Sequence, residues 1–232
     1  MKKHIPNTIT ALNLIFGCIA VQFALFGDPL YSAVFIVLSA VFDFFDGFVA
    51  RLLKVSSDIG KELDSLADVI SFGFAPAALV CSMFKDYPYP ESLFWLAPYL
   101  PYTAFIIAAF SAVRLAKFNL DTRQSHSFIG MPTPANALFI IGIANSPLLQ
   151  VAWTTPVWGL IFLFSLIVLT SYLLVCELPM FSLKTPSKLP LIFAIFALVL
   201  TILLLCLGYG LLGLAISMVG YIVASLILAV KK

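Results

Sequence analysis

Charge is what this chain has least of. Only 10% of its 232 residues are Asp, Glu, Lys or Arg, against about 25% in an ordinary soluble domain. So few charges cannot cover the surface of a soluble protein of this size. The 13 basic residues barely exceed the 11 acidic ones, for a net charge of +2, which excludes a basic nucleic-acid-binding domain. Cysteine is limited to four residues and histidine to two. Cys18, Cys81, Cys176 and Cys206 lie in apolar stretches without any Cys-x-x-Cys pair, so neither a disulfide framework nor a zinc site is expected. What is plentiful is apolar: 62% of residues are hydrophobic, which excludes a disordered chain. The mean hydropathy of +1.09 leaves a polytopic membrane protein.

A helix needs about 20 apolar residues to cross the hydrocarbon core. Breaks at Gly, Pro and charged clusters leave eight apolar segments, 8–27, 30–54, 61–84, 92–118, 134–150, 155–176, 189–207 and 210–230. The run after Met1-Lys2-Lys3 is read as a first transmembrane helix and not as a cleaved signal. With the N-terminus in the cytoplasm and sides alternating, Lys2, Lys3, Arg51, Lys54, Lys61, Arg114, Lys117, Arg123, Lys184, Lys188, Lys231 and Lys232 all fall on the cytoplasmic side. Only Lys85 falls outside, an asymmetry that fits the positive-inside rule. The expected fold is thus an all-α membrane bundle of about eight transmembrane helices forming one domain over 1–232, with both termini cytoplasmic. A six-span chain that lacks the fifth, weakest segment and one other is the competing count.

Acidic residues stand where they are most costly. Asp43 and Asp46 lie toward the end of the second segment, Asp64 and Asp68 early in the third. Each intramembrane carboxylate costs about 3 kcal/mol on insertion scales, and such residues mark functional sites. At about 100° per residue, Asp43, Asp46, Gly47 and Ala50 share one arc of a helix, and Gly60, Asp64 and Asp68 form an i, i+4, i+8 stripe on the next. The short link at 54–59 predicts antiparallel neighbours with these faces opposed, near the cytoplasmic end. Four converging carboxylates repel one another unless neutralised. Hard divalent cations, Mg²⁺ or Mn²⁺, suit oxygen ligands, and two such ions would clamp a diphosphate during displacement at phosphorus. Gly47, Ala50 and Gly60 either allow close helix contact or make room for a nucleotide.

The run Asp43-x2-Asp46-Gly47-x2-Ala50-Arg51-x8-Gly60-x3-Asp64-x3-Asp68 resembles the signature of the CDP-alcohol phosphotransferases at every fixed position. That resemblance implies that Asp43, Asp46, Asp64 and Asp68 hold a metal pair, with Asp68 also the general base. It further implies that Gly47, Arg51 and the Ser57 hydroxyl contact the CDP-lipid, with Ala50 and Gly60 beside them. Arg51 also fits a plain headgroup anchor. Three more stretches, Pro6–Asn13, Arg114–Asn119 and Phe128–Pro134, resemble the phosphatidylserine synthase branch of bacteria. Lys117 stands there where Arg is common. The activity so implied is transfer of a phosphatidyl group from CDP-diacylglycerol to L-serine by a homodimer in the cytoplasmic membrane, its active site facing the cytoplasm.

Asn7, Thr10 and Asn13 are candidates for the cytidine or phosphates, although Asn7 and Thr10 also suit a helix start after Pro6. Arg114, Lys117 and Asn119 are candidates for the serine site, the two cations for its carboxylate; both equally suit a helix end at the headgroups. His4 and His126 both fall in expected cytoplasmic segments; His126 is read as a solvated loop residue, with a minor acceptor-side contact as the alternative. The residues after about 140 are read as generic spans. Glycerol 3-phosphate, an inositol phosphate or choline remain alternative acceptors. An ion-coupled transporter is the reading from another class, but it would spread its carboxylates through the bilayer depth.

Overall fold

The computed structural model describes residues 4–55, 57–121, 128–156, 158–180 and 188–230, with the side chains at 128, 188–191 and 228–230 excepted. Lys2, Lys3, Arg123, His126, Lys184, Lys231, Lys232 and the Lys188 side chain therefore lie outside the described residues. The chain is helical almost throughout. Helix α1 (His4–Phe26) turns at Gly27 (φ +87°) into α2 (Pro29–Leu53). Pro29 suits the first turn of α2, where its missing N–H has no partner to lose. Lys54 ends α2 in the left-handed conformation (φ 51°), donating its N–H to the Ala50 and Arg51 carbonyls. Ser57 then caps α3 (Asp58–Asp68), its Oγ accepting from the Gly60 N–H at 3.0 Å.

Helix α3 runs through a wide π-turn (Val69–Phe74) into α4 (Ala75–Met83). The Ala75 N–H reaches five residues back to the Ile70 carbonyl. Pro76 follows directly and has no N–H for the usual ladder, a setting in which such one-residue bulges arise. The span Asp58–Asp86 is nonetheless continuous. Apart from a single 3₁₀ turn at Glu91–Leu93, the fourth apolar segment becomes continuously helical only at Leu100, with a 3₁₀ turn (Leu100–Phe105) leading into α5 (Ile106–Leu120), so its first third is not part of a span. The fifth is broken into α6 (Thr133–Ala144) and α7 (Pro147–Thr154), bent by 82° where Pro147 cannot continue the ladder. Helices α8 (Trp158–Val175), α9 (Lys188–Cys206) and α10 (Leu212–Val230) follow.

Each of the eight expected segments thus contributes helix, the fourth only in its later part and the fifth in two pieces. Among the described residues five helices are long and apolar enough to cross a membrane, or six if α6 and α7 count as one bent span. The apolar stretches described in α9 and α10, Ile192–Cys206 and Leu212–Ile227, are shorter.

Small residues set how closely the helices approach. A Cβ on Gly17 of α1 would lie 2.9 Å from Ser71 Cα in the π-turn, and one on Gly142 of α6 would lie 2.9 Å from Ala215 Cβ on α10. Ala20, Ala24, Ala33, Ala75, Ala77 and Ala78 fill the seam around α1, α2 and α4. Large apolar side chains such as Val34, Val37, Val41, Phe44 and Phe48 point outward from α2, as a lipid-facing surface requires.

One expectation holds only in part. The acidic faces of α2 and α3 are opposed, with carboxylate oxygens of Asp43, Asp64 and Asp68 within 4.8 Å of one another, but the helices are not packed along their length; α1 lies against both, while α2 and α3 scarcely touch. Four ionised side chains cannot fill a dry seam without a large desolvation cost. A two-stranded ribbon completes the frame. Strand β1 (Phe128–Ile129) pairs antiparallel with β2 (Pro179–Met180), and the Met131 N–H bonds to the Leu173 carbonyl at 2.8 Å. This ties the start of α6 to the end of α8.

Candidate active site

Three helices deliver the polar face. Asn7, Thr10 and Asn13 recur at three-residue intervals on α1, so they point toward the same side as the α2 and α3 aspartates. The Thr10 hydroxyl donates to Asp46 Oδ2 at 2.6 Å, with the Pro6 carbonyl 3.1 Å away. Asn13 is fully buried and its Nδ2 approaches Asp68 Oδ1 at 3.5 Å. Its carbonyl accepts from both Ser39 Oγ on α2 and Ser71 Oγ in the π-turn, each at 3.1 Å. Asn13 therefore ties three elements together beneath Asp68.

Asp43, Asp64 and Asp68 each place a carboxylate oxygen within 4.8 Å of the others'. Asp46 is turned aside, onto Thr10. Asp46 and Asp68 are 7% and 9% exposed. A donor set of hard carboxylates at this spacing fits a divalent cation of the Mg²⁺ or Mn²⁺ kind, and Asp46 stands next to it.

Two cavities flank this cluster. The first, about 260 Å³, is lined by Asn7, Thr10, Asp46, Gly47, Ala50, Ser57, Gly60 and Asp64, with Pro6, Val55 and Lys61. Nearly the whole set expected to meet the CDP-lipid is thus in one place. The exceptions are Asn13, which lies behind Asp68, and Arg51, which is exposed at the rim with Nη1 3.4 Å from where a Gly47 Cβ would be. The Ser57 oxygen already accepts the helix-capping bond, leaving its O–H to donate.

The second cavity, about 280 Å³, lies on the other side of Asp64. It is lined by Asp43, Asp64, Asp68, Arg114 and Asn119, together with Ser65, Leu115, Phe118, Leu138, Met218, Tyr221 and residues 132–135. Arg114 is 7% exposed, its guanidinium stacks over the Phe118 ring at 5.4 Å, and it lies within electrostatic reach of Asp68. Asn119 donates to Ser65 Oγ at 2.8 Å.

Lys117 does not join them. It is exposed, beside Asp121 and Glu177 around a smaller crevice that Arg114 also borders. Three residues on a helix separate two side chains by about 60°, enough to put Arg114 inside and Lys117 outside. Met218 and Tyr221 correct the reading of the last third as generic spans. An aromatic hydroxyl inside an apolar run was the only hint at Tyr221.

The model of the family described as CDP-alcohol phosphatidyltransferase matches residues 3–170. Curated relatives include a protein of Mycobacterium leprae, 35% identical over 207 residues covering 85% of this chain and 65% of its own. One of Bacillus subtilis is 36% identical over 150 residues, 63% of this chain and 80% of its own. Another, of Methanocaldococcus jannaschii, is 39% identical over 141 residues, 61% and 60%. Each is named CDP-diacylglycerol–serine O-phosphatidyltransferase. The chain spans about 60–65% of the length of the mycobacterial relatives it matches.

Proposed function

The chain belongs to the CDP-alcohol phosphatidyltransferase family, and from that premise we propose that it transfers the phosphatidyl group of CDP-diacylglycerol to the hydroxyl of L-serine, giving phosphatidylserine and CMP. The observation that carries this reading is the pair of cavities meeting at Asp64. One has the small residues, the Asn7 amide and the hydroxyls a nucleotide needs; the other holds a buried cation beside Asp68.

Asp43, Asp64 and Asp68, with Asp46 adjoining, are the residues that would hold Mg²⁺ or Mn²⁺, in one or two ions. Divalent ions there supply positive charge against the diphosphate. The first cavity seats the CDP group, with Asn7 and the Ser57 hydroxyl offering hydrogen bonds and Gly47, Ala50 and Gly60 leaving space. Arg51 waits at the rim for a phosphate oxygen, where its fork suits bidentate contact. Serine enters the second cavity with its hydroxyl toward Asp68. Asp68 accepts that proton as the serine oxygen bonds to the lipid-side phosphorus. The bond from this phosphorus to the bridging oxygen breaks, and CMP leaves with the electron pair.

Among the described residues a single cation, Arg114, lines the second cavity, which matches one carboxylate better than a phosphorylated acceptor, which calls for several basic residues. That favours serine over glycerol 3-phosphate or an inositol phosphate. We also place all eight helical segments across the cytoplasmic membrane with both termini and the site on the cytoplasmic side, supported by the distribution of Lys and Arg. The family resemblance supports a homodimer. Purified protein supplied with CDP-diacylglycerol, Mn²⁺ or Mg²⁺ and a panel of alcohols tests the reading. CMP release and phosphatidylserine formation with L-serine are expected; preference for glycerol 3-phosphate, inositol phosphate or choline would overturn it.

A further inference from the structure

The end of the bundle opposite the carboxylates carries apolar surface on backbone that cannot lie in hydrocarbon. From Tyr87 to Tyr99 the chain runs in turns, with one 3₁₀ turn at Glu91–Leu93 and no continuous helical ladder. It exposes Trp95, Tyr99 and, just beyond, Tyr102. Helix α7 lies beside this stretch. It touches the turn at Phe84–Asp86, and Gly159 at the start of α8 packs against both the Trp153 carbonyl and the Tyr87 ring. With eight residues, α7 is about 12 Å long, far short of a span, and it leaves α6 at 82°. Its two faces differ. Trp153 is 2% exposed and joins the core, whereas Leu148 and Val151 point out. Trp95 and Trp158, on either side, are 70% and 67% exposed.

Two environments are ruled out for this surface. Irregular backbone facing lipid would leave N–H and C=O groups unpaired, so it does not occur in the hydrocarbon region, and Asp86 and Glu91 are exposed in the same stretch. So many exposed aromatic and aliphatic side chains do not suit bulk water either. Between the two lies the headgroup layer, where the amphipathic rings of Trp and Tyr collect. Tyr31 at the start of α2 and Tyr209 between α9 and α10 are exposed at this same end. Among the described residues Lys85 is the one cation there, and its Nζ donates to the Leu25 carbonyl at the end of α1 at 2.9 Å. That leaves the surface no free cation with which to select an anionic headgroup. We infer that residues 87–102 and α7 form an interfacial platform seated in the headgroup layer of the leaflet opposite the active site, its partner the glycerol and carbonyl layer of the phospholipids, without preference for anionic ones. The two segments that fall short as full spans thereby share one reason: the first third of the fourth and the end of the fifth lie along the membrane instead of across it. The platform goes beyond the reaction and needs only that the long helices span the bilayer, whichever alcohol is the acceptor.

The experiment uses the full chain in phosphatidylcholine nanodiscs and reads tryptophan emission. Comparing the parent with Trp95→Phe and with Trp158→Phe isolates each exposed indole, and the buried Trp153 cancels in the difference. Val151→Trp adds a probe on the outer face of α7. The quenchers are nitroxides carried on the lipid headgroup, high on the acyl chain or near its methyl end, and acrylamide in the water. All three indoles are expected to be quenched several-fold more by the headgroup and upper-chain nitroxides than by the deep one. Headgroup-labelled phosphatidylglycerol and phosphatidylcholine are expected to quench them alike. Strongest quenching by the deep nitroxide would put the surface in the hydrocarbon and overturn the platform. Quenching by acrylamide with none from any lipid nitroxide would put it in water, and no quenching by either would mean that a second copy or another protein covers it; each result overturns the proposal too. Stronger quenching by the labelled phosphatidylglycerol would overturn the lack of headgroup preference. If one of the Trp→Phe proteins fails to fold, the other and Val151→Trp still report on the same surface. None of these readouts depends on turnover, so they stand apart from the test of the proposed function.

Discussion

Gly60→Ala separates the two cavities kinetically. A Cβ at position 60 would lie 2.9 Å from Asn7 Oδ1 and 2.9 Å from Ser57 Oγ, closer than a relaxed structure allows. Both oxygens belong to the first cavity, and Gly60 lines only that one. Stability is expected to change little. Alanine favours helix over glycine by about 1 kcal/mol, and pushing Ser57 off its capping bond costs about the same. The remaining effect is a methyl group and two displaced oxygens in the space meant for the nucleotide. A tenfold rise in the KM for CDP-diacylglycerol, about 1.4 kcal/mol, is expected, with the KM for L-serine changed by less than about twofold, since removing uniform ground-state binding moves KM alone. Initial-rate measurements of CMP release with each substrate varied in turn give both constants. A serine KM that rises as much as that of the lipid would refute the division of the site at Asp64.

Asp68→Asn should lower kcat by about 10²–10⁴-fold, the range for a lost general base, while CDP-diacylglycerol still protects the variant against heat; activity within tenfold of the parent would remove Asp68 from that role. Chelation of divalent ions should abolish turnover and added Mn²⁺ or Mg²⁺ should restore it, whereas full CMP release in excess chelator would exclude the carboxylate cluster as a metal centre. Gly142→Val inserts bulk against Ala215 where α6 meets α10, so overpacking of about 1–3 kcal/mol is expected to lower the Tm and, by parting two walls of the second cavity, to raise the serine KM. An unaltered Tm would show that these helices part freely.

The aspartates were legible because a charge in an apolar helix has no structural excuse, and their spacing fixed which face each would take. Periodicity names a face but not what lies opposite it. Nothing in the sequence says that α1 inserts its own polar stripe against both α2 and α3, so the pairing of Asp46 with Thr10 and of Asn13 with Asp68 emerged only in three dimensions. Arg114 and Lys117 look alike in sequence because the 60° between them is smaller than the uncertainty of a helix's rotation about its axis. Thr133 stands in the Phe128–Pro134 stretch that carries part of the resemblance, whereas Tyr221 hides in an apolar run. The fourth segment misled for a different reason: Pro98 and Pro101 are compatible with high hydropathy but not with an α-helical ladder.

The wide turn after Asp68 has a consequence for phase. A regular helix advances about 100° per residue, so the face set by Gly60, Asp64 and Asp68 would dictate, without interruption, which side of the chain Ala75, Ala77 and Ala78 present. The extra residue in Val69–Phe74 resets that angle. One continuous rod thereby keeps two independent azimuths, the N-terminal half aligned to the carboxylate cluster and the C-terminal half to the alanine seam. Deleting a single residue between Val69 and Phe74 would rejoin the two halves in a common phase, and one of them would then face the wrong neighbour.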